Sequence, residues 1–327
     1  MKLFRAVALS TALALPAGGI HAAEYRMLSS WDRSNPAVGA IADTFVKNVD
    51  AASKGGIKIT VSGPETVPAF EQLQPLASGA FHFLYTHGAY HFGTTPMLAV
   101  VESLGGDVAS RRASGVFDEI DKHYQKLGVK IIAFPMTPDG AYHIILRQPI
   151  GPSGDLAGRK VRGTPSYHGV FRLLNASPVG LPPAEIYTSL DKGVVEGTSW
   201  PVLGALGYRW YEVAKYMMRP AFGFSVQPIL INLNLWNRLG EAERRLLLDA
   251  GRKVEESWFK EAGRLAEEEE KALLGKGMSI TQMGAAQRAK LRQAWGDGLW
   301  DASLANEKNR KDVEQLRQFA RQKKLLD

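Results

Sequence analysis

Hydrophobic positions recur with two different periods along the first half of the chain, and together they predict alternating strands and helices. Ile41, Phe45 and Val49 lie four positions apart behind Pro36, which predicts a helix. Short apolar or alternating runs predict strands at 24–30, 57–61, 81–85 and 129–134. Further helices are predicted at 68–78 and 117–127. This order is typical of an α/β lobe with a mostly parallel sheet.

A second α/β lobe is predicted to begin near Ala141. Its apolar runs predict strands at 142–146 and 160–162, and a further strand is predicted at 227–232. Its amphipathic segments predict helices at 166–174 and 184–192, the latter ending at Gly193. The fold class expected from the sequence is therefore α/β with two lobes.

One long helix is predicted from Glu241 onwards. Its apolar side chains follow the helical period at Leu247, Val254, Trp258, Leu265 and Leu273. About 34 residues at 1.5 Å each span roughly 50 Å, which exceeds one small lobe. The helix must therefore bridge the lobes or pack along both. The glutamate run at 267–270 is expected to be its solvated face.

The N-terminus has the pattern of a secretory signal peptide at residues 1–22. Lys2 and Arg5 precede a short apolar stretch at 6–17, and Ala22 provides the small residue that signal peptidase requires. An uncleaved anchor helix is disfavoured because the stretch is short and contains Pro16. A cleaved leader predicts a periplasmic protein.

Composition excludes several classes of site. The 327 residues include no cysteine, so disulfides, thiolate nucleophiles and cysteine-ligated metals are excluded. The formal charge of +7 suits an anionic ligand, but lysine and arginine are dispersed among the acids. Nucleic-acid binding is therefore not expected.

Catalytic and metal motifs are missing from the sequence. HExxH, GxSxG, Walker A and GxGxxG do not occur, so the protein is predicted not to be an enzyme, with a secreted hydrolase as a remote alternative. His82, His87 and His91 lie within ten residues. His82 falls in a predicted strand and Gly88 interrupts any helix joining the other two, so no metal or cofactor is predicted.

Candidate ligand-binding residues follow the predicted strands, because ligands of open α/β sheets bind at the carboxyl ends of strands. Trp31, His87 and Tyr90 follow predicted strands, Trp200 follows the run at 194–197, and Tyr142 opens the second lobe. Arg162 ends the short strand at 160–162 beside an apolar neighbour. A guanidinium there suits two-pronged capture of a carboxylate, with a structural ion pair as the alternative.

Three segments resemble the core signature of the DctP-type solute-binding proteins of TRAP transporters. Residues 155–162 read D-L-A-G-R-K-V-R, residues 185–193 read E-I-Y-T-S-L-D-K-G, and residues 194–197 read V-V-E-G. The family pattern is D-l-x-G-x-K-x-R followed by e-v-y-x-a-L-x-x-G-x-v-D/E-G. Looser likeness extends over the whole chain after residue 22.

The resemblance implies two lobes joined by crossing strands, with hinges near residues 140 and 226. The lobes would comprise 23–140 plus 227–268 and 141–226 plus 269–327. It also implies a monomeric receptor that closes on an organic acid and delivers it to the membrane permease subunits of a TRAP transporter. The arginine of the family's K-x-R element pairs with the substrate carboxylate, which assigns that role to Arg162.

Departures from the family pattern predict the ligand class. Tyr142 stands where some relatives have a second arginine, and Trp200 where many have asparagine. With Trp31, Tyr90 and Phe222 they suggest an aromatic or hydrophobic monocarboxylate stacked on these rings. Hydrogen bonds from Tyr142 or His87 would complete the site.

Two other ligand classes stay open. A C4-dicarboxylate or a 2-oxo acid would require a second cation, from His87, His143 or a metal. The keto-acid branch of the family often binds a metal through a tryptophan and a glutamate, and residues 220–228 do not show that arrangement. A receptor that feeds a signalling protein is a further alternative.

Overall fold

The computed structural model describes residues 23–326, so the predicted signal peptide lies outside the described residues and stays a prediction. The strands are β1 Ala23–Ser29, β2 Ile57–Ser62, β3 Phe83–Tyr85, β4 Val129–Ala133, β5 Tyr142–Leu146, β6 Lys160–Arg162, β7 Ser177–Val179, β8 Gly197–Pro201, β9 Tyr216–Arg219, β10 Ile229–Asn232 and β11 Ser279–Gln282. The helices are α1 Thr44–Ala52, α2 Leu73–Ala77, α3 Val108–Ala113, α4 Val116–Lys126, α5 His168–Leu173, α6 Ile186–Asp191, α7 Leu233–Arg238, α8 Glu241–Gly275, α9 Ala285–Leu304 and α10 Arg310–Gln322.

The strands form two separate sheets, which confirms the predicted two-lobed α/β class. The first sheet has the order β2-β1-β3-β10-β4, and the second has the order β11-β9-β5-β8-β6-β7. In the first, β1 runs parallel to both β2 and β3, and β10 runs antiparallel to its two neighbours. Within residues 23–326, no helix is both long and apolar enough to span a membrane.

Alternation along the strands of the first sheet places its two faces in different cores. Met27 and Phe83 belong to the core under α1 and α8, whereas their neighbours Leu28 and Leu84 belong to the core under α2 and α4. Successive side chains of a strand point to opposite faces. A sheet covered on both faces needs apolar residues at every position, as these short runs provide.

The long helix α8 spans 35 residues and serves both lobes. Leu247, Val254 and Trp258 are buried along it, as the helical period predicts. The expectation of a solvated face at 267–270 is wrong at two positions. Glu269 is buried and accepts the backbone N–H groups of Gly204 and Leu206, while Glu270 pairs with an arginine of β9. Burial raises the pKa of Glu269.

Two antiparallel segments connect the lobes. Met136 bridges to Val226, and Tyr142 bridges to Phe222, so the outgoing and returning chains run side by side. Backbone bonds continue this pairing, for example from Gln227 N–H to the Pro135 carbonyl at 2.9 Å. These segments contain the predicted hinge positions near residues 140 and 226.

The C-terminal helices pack on different lobes. Helix α9 lies against α5, where Gly169 and Gly298 bring the two backbones into direct contact. Val313 and Leu316 of α10 instead share the core that contains α4 of the first lobe. The predicted limit assigns all of 269–327 to the second lobe. The packing of α10 favours assigning that helix to the first.

Candidate functional site

A small cavity lies between the lobes, where the strand ends meet. It encloses about 20 Å³, and about 10–15 Å³ is what one water requires. A ligand larger than a water molecule therefore enters only when the lobes part or the side chains rearrange. The lining residues are Trp31, Asn35, His87, Tyr90, Tyr142, Arg162, Thr164, Tyr167, Trp200, Pro201 and Gln227.

The cavity brings together six of the seven side chains predicted from the sequence. Trp31 follows β1, and His87 and Tyr90 follow β3 in the first lobe. Tyr142 begins β5 and Arg162 ends β6 in the second lobe. The sixth residue, on β8, is Trp200. The strand-end rule thus located Trp31, His87, Tyr90 and Arg162, whereas Tyr142 lies at the start of its strand.

Arg162 is 1% exposed and lacks an acidic partner among residues 23–326. Its Nε donates to the Leu181 carbonyl at 2.9 Å, and its Nη1 donates to the Ser199 carbonyl at 3.3 Å. Its Nη2 is buried and has no hydrogen-bond partner within the described chain. Burial lowers the pKa of Arg162. A buried guanidinium whose Nη2 has no partner has the chemistry that suits an anion.

Aromatic side chains surround this guanidinium. Its carbon lies 5.3 Å from the ring centre of Trp200, a cation–π contact. Trp31 donates its indole N–H to the Tyr90 hydroxyl at 3.0 Å. Burial raises the pKa of Tyr90 to about 12, although the neighbouring Arg162 acts in the opposite direction. Tyr90 is therefore neutral at physiological pH and does not form an ion pair with Arg162.

Sequence reasoning missed Glu102, which lies directly behind the cavity in a 3₁₀ turn at 99–103. Its Oε1 lies 2.7 Å from His87 Nε2 and 2.9 Å from the Tyr142 hydroxyl, and it accepts the Val226 N–H at 2.9 Å. No strand end or motif marks this residue in the sequence. Its neighbours at 97–101 are apolar, a composition that is typical of hydrophobic core.

Sequence reasoning also missed several polar lining groups. Thr164 lies two positions beyond Arg162, and its hydroxyl is buried with no partner among the described residues. The indole N–H of Trp200, a residue that the sequence did indicate, is also buried with no hydrogen-bond partner among the described residues. Gln227 accepts the Tyr85 hydroxyl at 2.7 Å. Thr164 and Gln227 each lie close to a strand end, a signal that could have identified them.

Phe222 and His143 lie outside the cavity lining. Phe222 packs against Tyr142 and Tyr167, with ring centres 6.2 and 6.5 Å away, and so supports the lining from behind. His143 follows Tyr142 in β5 and is contacted by Arg219 Nη1 at 2.9 Å. Burial holds the pKa of His143 well below its usual value, with Arg219 adding to the effect. His143 therefore does not supply a second cation at neutral pH.

The three clustered histidines have separate partners. His82 Nδ1 accepts the Arg26 N–H at 3.0 Å, and His91 Nε2 lies 2.5 Å from the Tyr124 hydroxyl. His87 belongs to the cavity. Over the described residues, no group of three or more histidine, aspartate or glutamate side chains is arranged to hold a metal ion.

The chain matches the model of a known family and several curated relatives. The family is described as DctP, bacterial extracellular solute-binding protein, family 7, and the match covers residues 28–306. A monocarboxylate 2-oxoacid-binding periplasmic protein of Nostoc sp. is 29% identical over 241 residues, which are 68% of this chain and 63% of that protein. The chain thus spans less than two thirds of this relative's length.

Solved structures share the fold over nearly the whole chain. A TRAP periplasmic solute-binding protein of Desulfovibrio salexigens with bound orotic acid has a TM-score of 0.79 at 20% identity, covering 92% of this chain and 99% of that one. An extracytoplasmic solute receptor of Bordetella pertussis binding pyroglutamic acid has a TM-score of 0.75 at 20% identity, covering 92% and 100%. At these identities, the likeness supports the two-lobed architecture.

Proposed function

Because the chain belongs to the DctP family of bacterial extracellular solute-binding proteins, we propose that it is the periplasmic receptor of a TRAP-type transporter for an organic monocarboxylate. The receptor would bind the acid between its lobes through Arg162 and deliver it to membrane permease subunits. It would act as a monomer without catalysing a reaction on its ligand.

The observation that carries this proposal is the unpaired guanidinium of Arg162. Taking a cation out of water costs free energy unless an anion or a full set of acceptors replaces the lost solvation. Two backbone carbonyls satisfy part of Arg162, and its Nη2 stays open beside the cavity. A ligand carboxylate would supply both the missing acceptor and the missing charge.

The cavity lining favours one carboxylate and an apolar body. Among the lining residues, all of them in the described chain, Arg162 is the one permanently charged cation. Five of the eleven lining side chains are tyrosine or tryptophan, which offer flat apolar surface to a ring or chain. An aromatic or hydrophobic monocarboxylate therefore fits better than a C4-dicarboxylate.

A second candidate ligand is a 2-oxo monocarboxylate. The Trp200 indole N–H and the Thr164 hydroxyl are buried without partners beside Arg162, within the part of the chain described. A 2-oxo oxygen next to a bound carboxylate would accept from such groups. The Nostoc relative's name, a monocarboxylate 2-oxoacid-binding protein, agrees with this candidate.

A binding screen with matched pairs tests the proposal. Residues 23–327 are titrated with benzoate and benzamide, and with pyruvate and pyruvamide, by calorimetry and thermal shift. We expect binding of at least one acid and at least tenfold weaker binding of its amide, because the amide lacks the charge that Arg162 requires. Equal binding of acid and amide, or binding of neither acid in any pair of a wider panel, would overturn the proposal.

A matched pair of variants assigns the effect to the site. Arg162→Met removes the buried cation, and Lys160→Met removes an exposed cation of the same strand. The acid that binds wild type should bind Lys160→Met unchanged and Arg162→Met poorly. Retained affinity in Arg162→Met would place the carboxylate elsewhere.

A further inference from the structure

We infer that Glu102 is a positioning residue that restricts the cleft to ligands with a single carboxylate. The inference rests on the proposed function and names the residue that would set its selectivity. Glu102 is 2% exposed and does not line the cavity, so it would act through the side chains it holds.

The hydrogen bonds of His87 fix where its proton lies. Its Nδ1 accepts the Ala89 N–H at 3.1 Å, so this nitrogen carries no proton in the neutral ring. The proton is therefore on Nε2, which lies 2.7 Å from Glu102 Oε1. His87 donates this proton backwards to Glu102 and has no second N–H group to offer a ligand.

The hydroxyl group of Tyr142 also donates its proton to Glu102. Its hydroxyl donates to Glu102 Oε1 at 2.9 Å, and the His87 Nε2 lies 2.9 Å from the hydroxyl oxygen. The one proton of the phenol is thus committed to Glu102. The cavity surface formed by Tyr142 and His87 has no hydrogen-bond donor for a ligand anion. This differs from the expectation that these two side chains would donate to the carboxylate.

Backbone contacts hold Glu102 in place. Its Oε1 accepts the N–H of Val226, which lies in the segment that returns to the first lobe. Its own carbonyl accepts the indole N–H of Trp295 from α9 at 3.0 Å. Glu102 is therefore tied to the first lobe, to the connecting segment and to α9. Such a residue keeps its position while a ligand is exchanged.

The side chains of Glu102 and Arg162 both act on the cavity lining. Tyr167, another lining residue, is influenced by both: burial raises its pKa, Glu102 raises it further, and Arg162 lowers it. A ligand carboxylate at Arg162 meets a cation with a free N–H group. A second carboxylate that reached the surface formed by Tyr142 and His87 would meet no donor there, with the Glu102 side chain directly behind. Specificity of this kind arises from a repulsive element.

Matched acids measure this selectivity. Wild type and Glu102→Gln are titrated with benzoate and terephthalate, and with butanoate and succinate. We expect wild type to prefer the monocarboxylate of a pair by at least about 30-fold, because like charges repel strongly at a buried site. Glu102→Gln should reduce this preference at least tenfold by improving dicarboxylate binding. Glu255→Gln, another buried carboxylate, should leave the preference unchanged.

The outcomes separate this inference from the proposed function. If wild type binds no carboxylate, the proposed function is wrong. If it binds monocarboxylates but accepts dicarboxylates equally well, or if Glu102→Gln leaves the preference unchanged, the inference about Glu102 is wrong and the receptor function stands.

A measurement on the wild-type protein covers the case in which Glu102→Gln fails to fold. Nitrogen-15 NMR of histidine-labelled protein distinguishes the two neutral tautomers of His87. We expect the proton on Nε2 and none on Nδ1 near pH 7. A proton on Nδ1 and none on Nε2 would mean that His87 does not donate to Glu102, and would overturn the inference.

Discussion

Replacing Arg162 by methionine should weaken ligand binding without destabilising the ligand-free protein. Methionine fills a similar volume and removes the charge. The buried guanidinium uses two of its donors on the Leu181 and Ser199 carbonyls and leaves Nη2 without a partner in the described chain. An unpaired buried cation contributes little to stability, because desolvation offsets its hydrogen bonds.

The magnitudes follow from linkage. Truncating one partner of a buried, hydrogen-bonded charge pair costs about 2–5 kcal/mol of binding free energy, which is roughly 30-fold to several thousand-fold in Kd. A ligand at 1 mM with a Kd of about 1 µM stabilises the folded state by about 4 kcal/mol. For about 300 residues, with an unfolding entropy of about 2 cal/mol/K per residue, this corresponds to a Tm shift of about 6 °C.

The assay is thermal unfolding with and without the best acid from the screen. Wild type and Lys160→Met should both show the full shift of about 6 °C at 1 mM acid. A 100-fold loss of affinity in Arg162→Met leaves a shift of about 2 °C. Its Tm without ligand should stay within a few degrees of wild type. A full ligand shift in Arg162→Met would refute the reasoning, and so would a collapse of ligand-free stability, which would identify Arg162 as a structural residue.

Three further predictions concern stability. Burial lowers the pKa of His91 to about 3, so below about pH 6.5 the unfolded chain binds a proton at His91 that the folded chain does not. This histidine should therefore lower the free energy of unfolding by up to about 1.4 kcal/mol per pH unit between pH 6.5 and 5. In urea denaturation, the free energy of unfolding of His91→Gln should depend on pH less steeply than that of wild type, by the equivalent of one proton. Glu269→Gln should lower the free energy of unfolding by about 1–3 kcal/mol, because it weakens the hydrogen bonds to backbone N–H groups. Glu267→Gln, on the exposed side of α8, should leave stability unchanged. Equal denaturation midpoints for the two variants would contradict this prediction. Gly298→Ala should destabilise the protein, because a Cβ there would lie 2.5 Å from the backbone of α5. Gly296→Ala in the same helix has open space and should stabilise the protein by up to about 1 kcal/mol. Calorimetry should therefore show changes in Tm of opposite sign for the two variants.

The hydrophobic periodicity predicted many of the helices and strands, because burial of their side chains produces that periodicity. Strands β5 and β6 have the bounds expected from the sequence, and α8 begins at Glu241 as predicted. Boundaries differ mainly where helices begin in tighter or looser turns, such as the π-helical Val38–Asp43 before α1 and the 3₁₀ turn Pro165–Tyr167 before α5. The twenty-residue helix α9 was not identified, because its apolar residues do not form a single stripe.

The candidate site was predicted as far as it depends on strand ends. Trp31 follows β1 and Arg162 ends β6, and the sequence identifies both strands. Each residue therefore lies at the carboxyl end of a strand in its own sheet, whereas their meeting across the cleft depends on how the two lobes pack. Glu102 could not be found this way. It lies in a turn among apolar residues, and its importance depends on Tyr142 and Val226, which are 40 and 124 positions away. Contacts of that range follow from the topology and not from any local pattern.

A crystal structure of residues 23–327 with the best-binding acid tests the central claim most directly. The account predicts a carboxylate oxygen about 2.7–2.9 Å from Nη2 of Arg162, with the ligand body against the tyrosine and tryptophan rings of the cavity. A carboxylate bound away from Arg162, with Nη2 still unpartnered, would contradict the account.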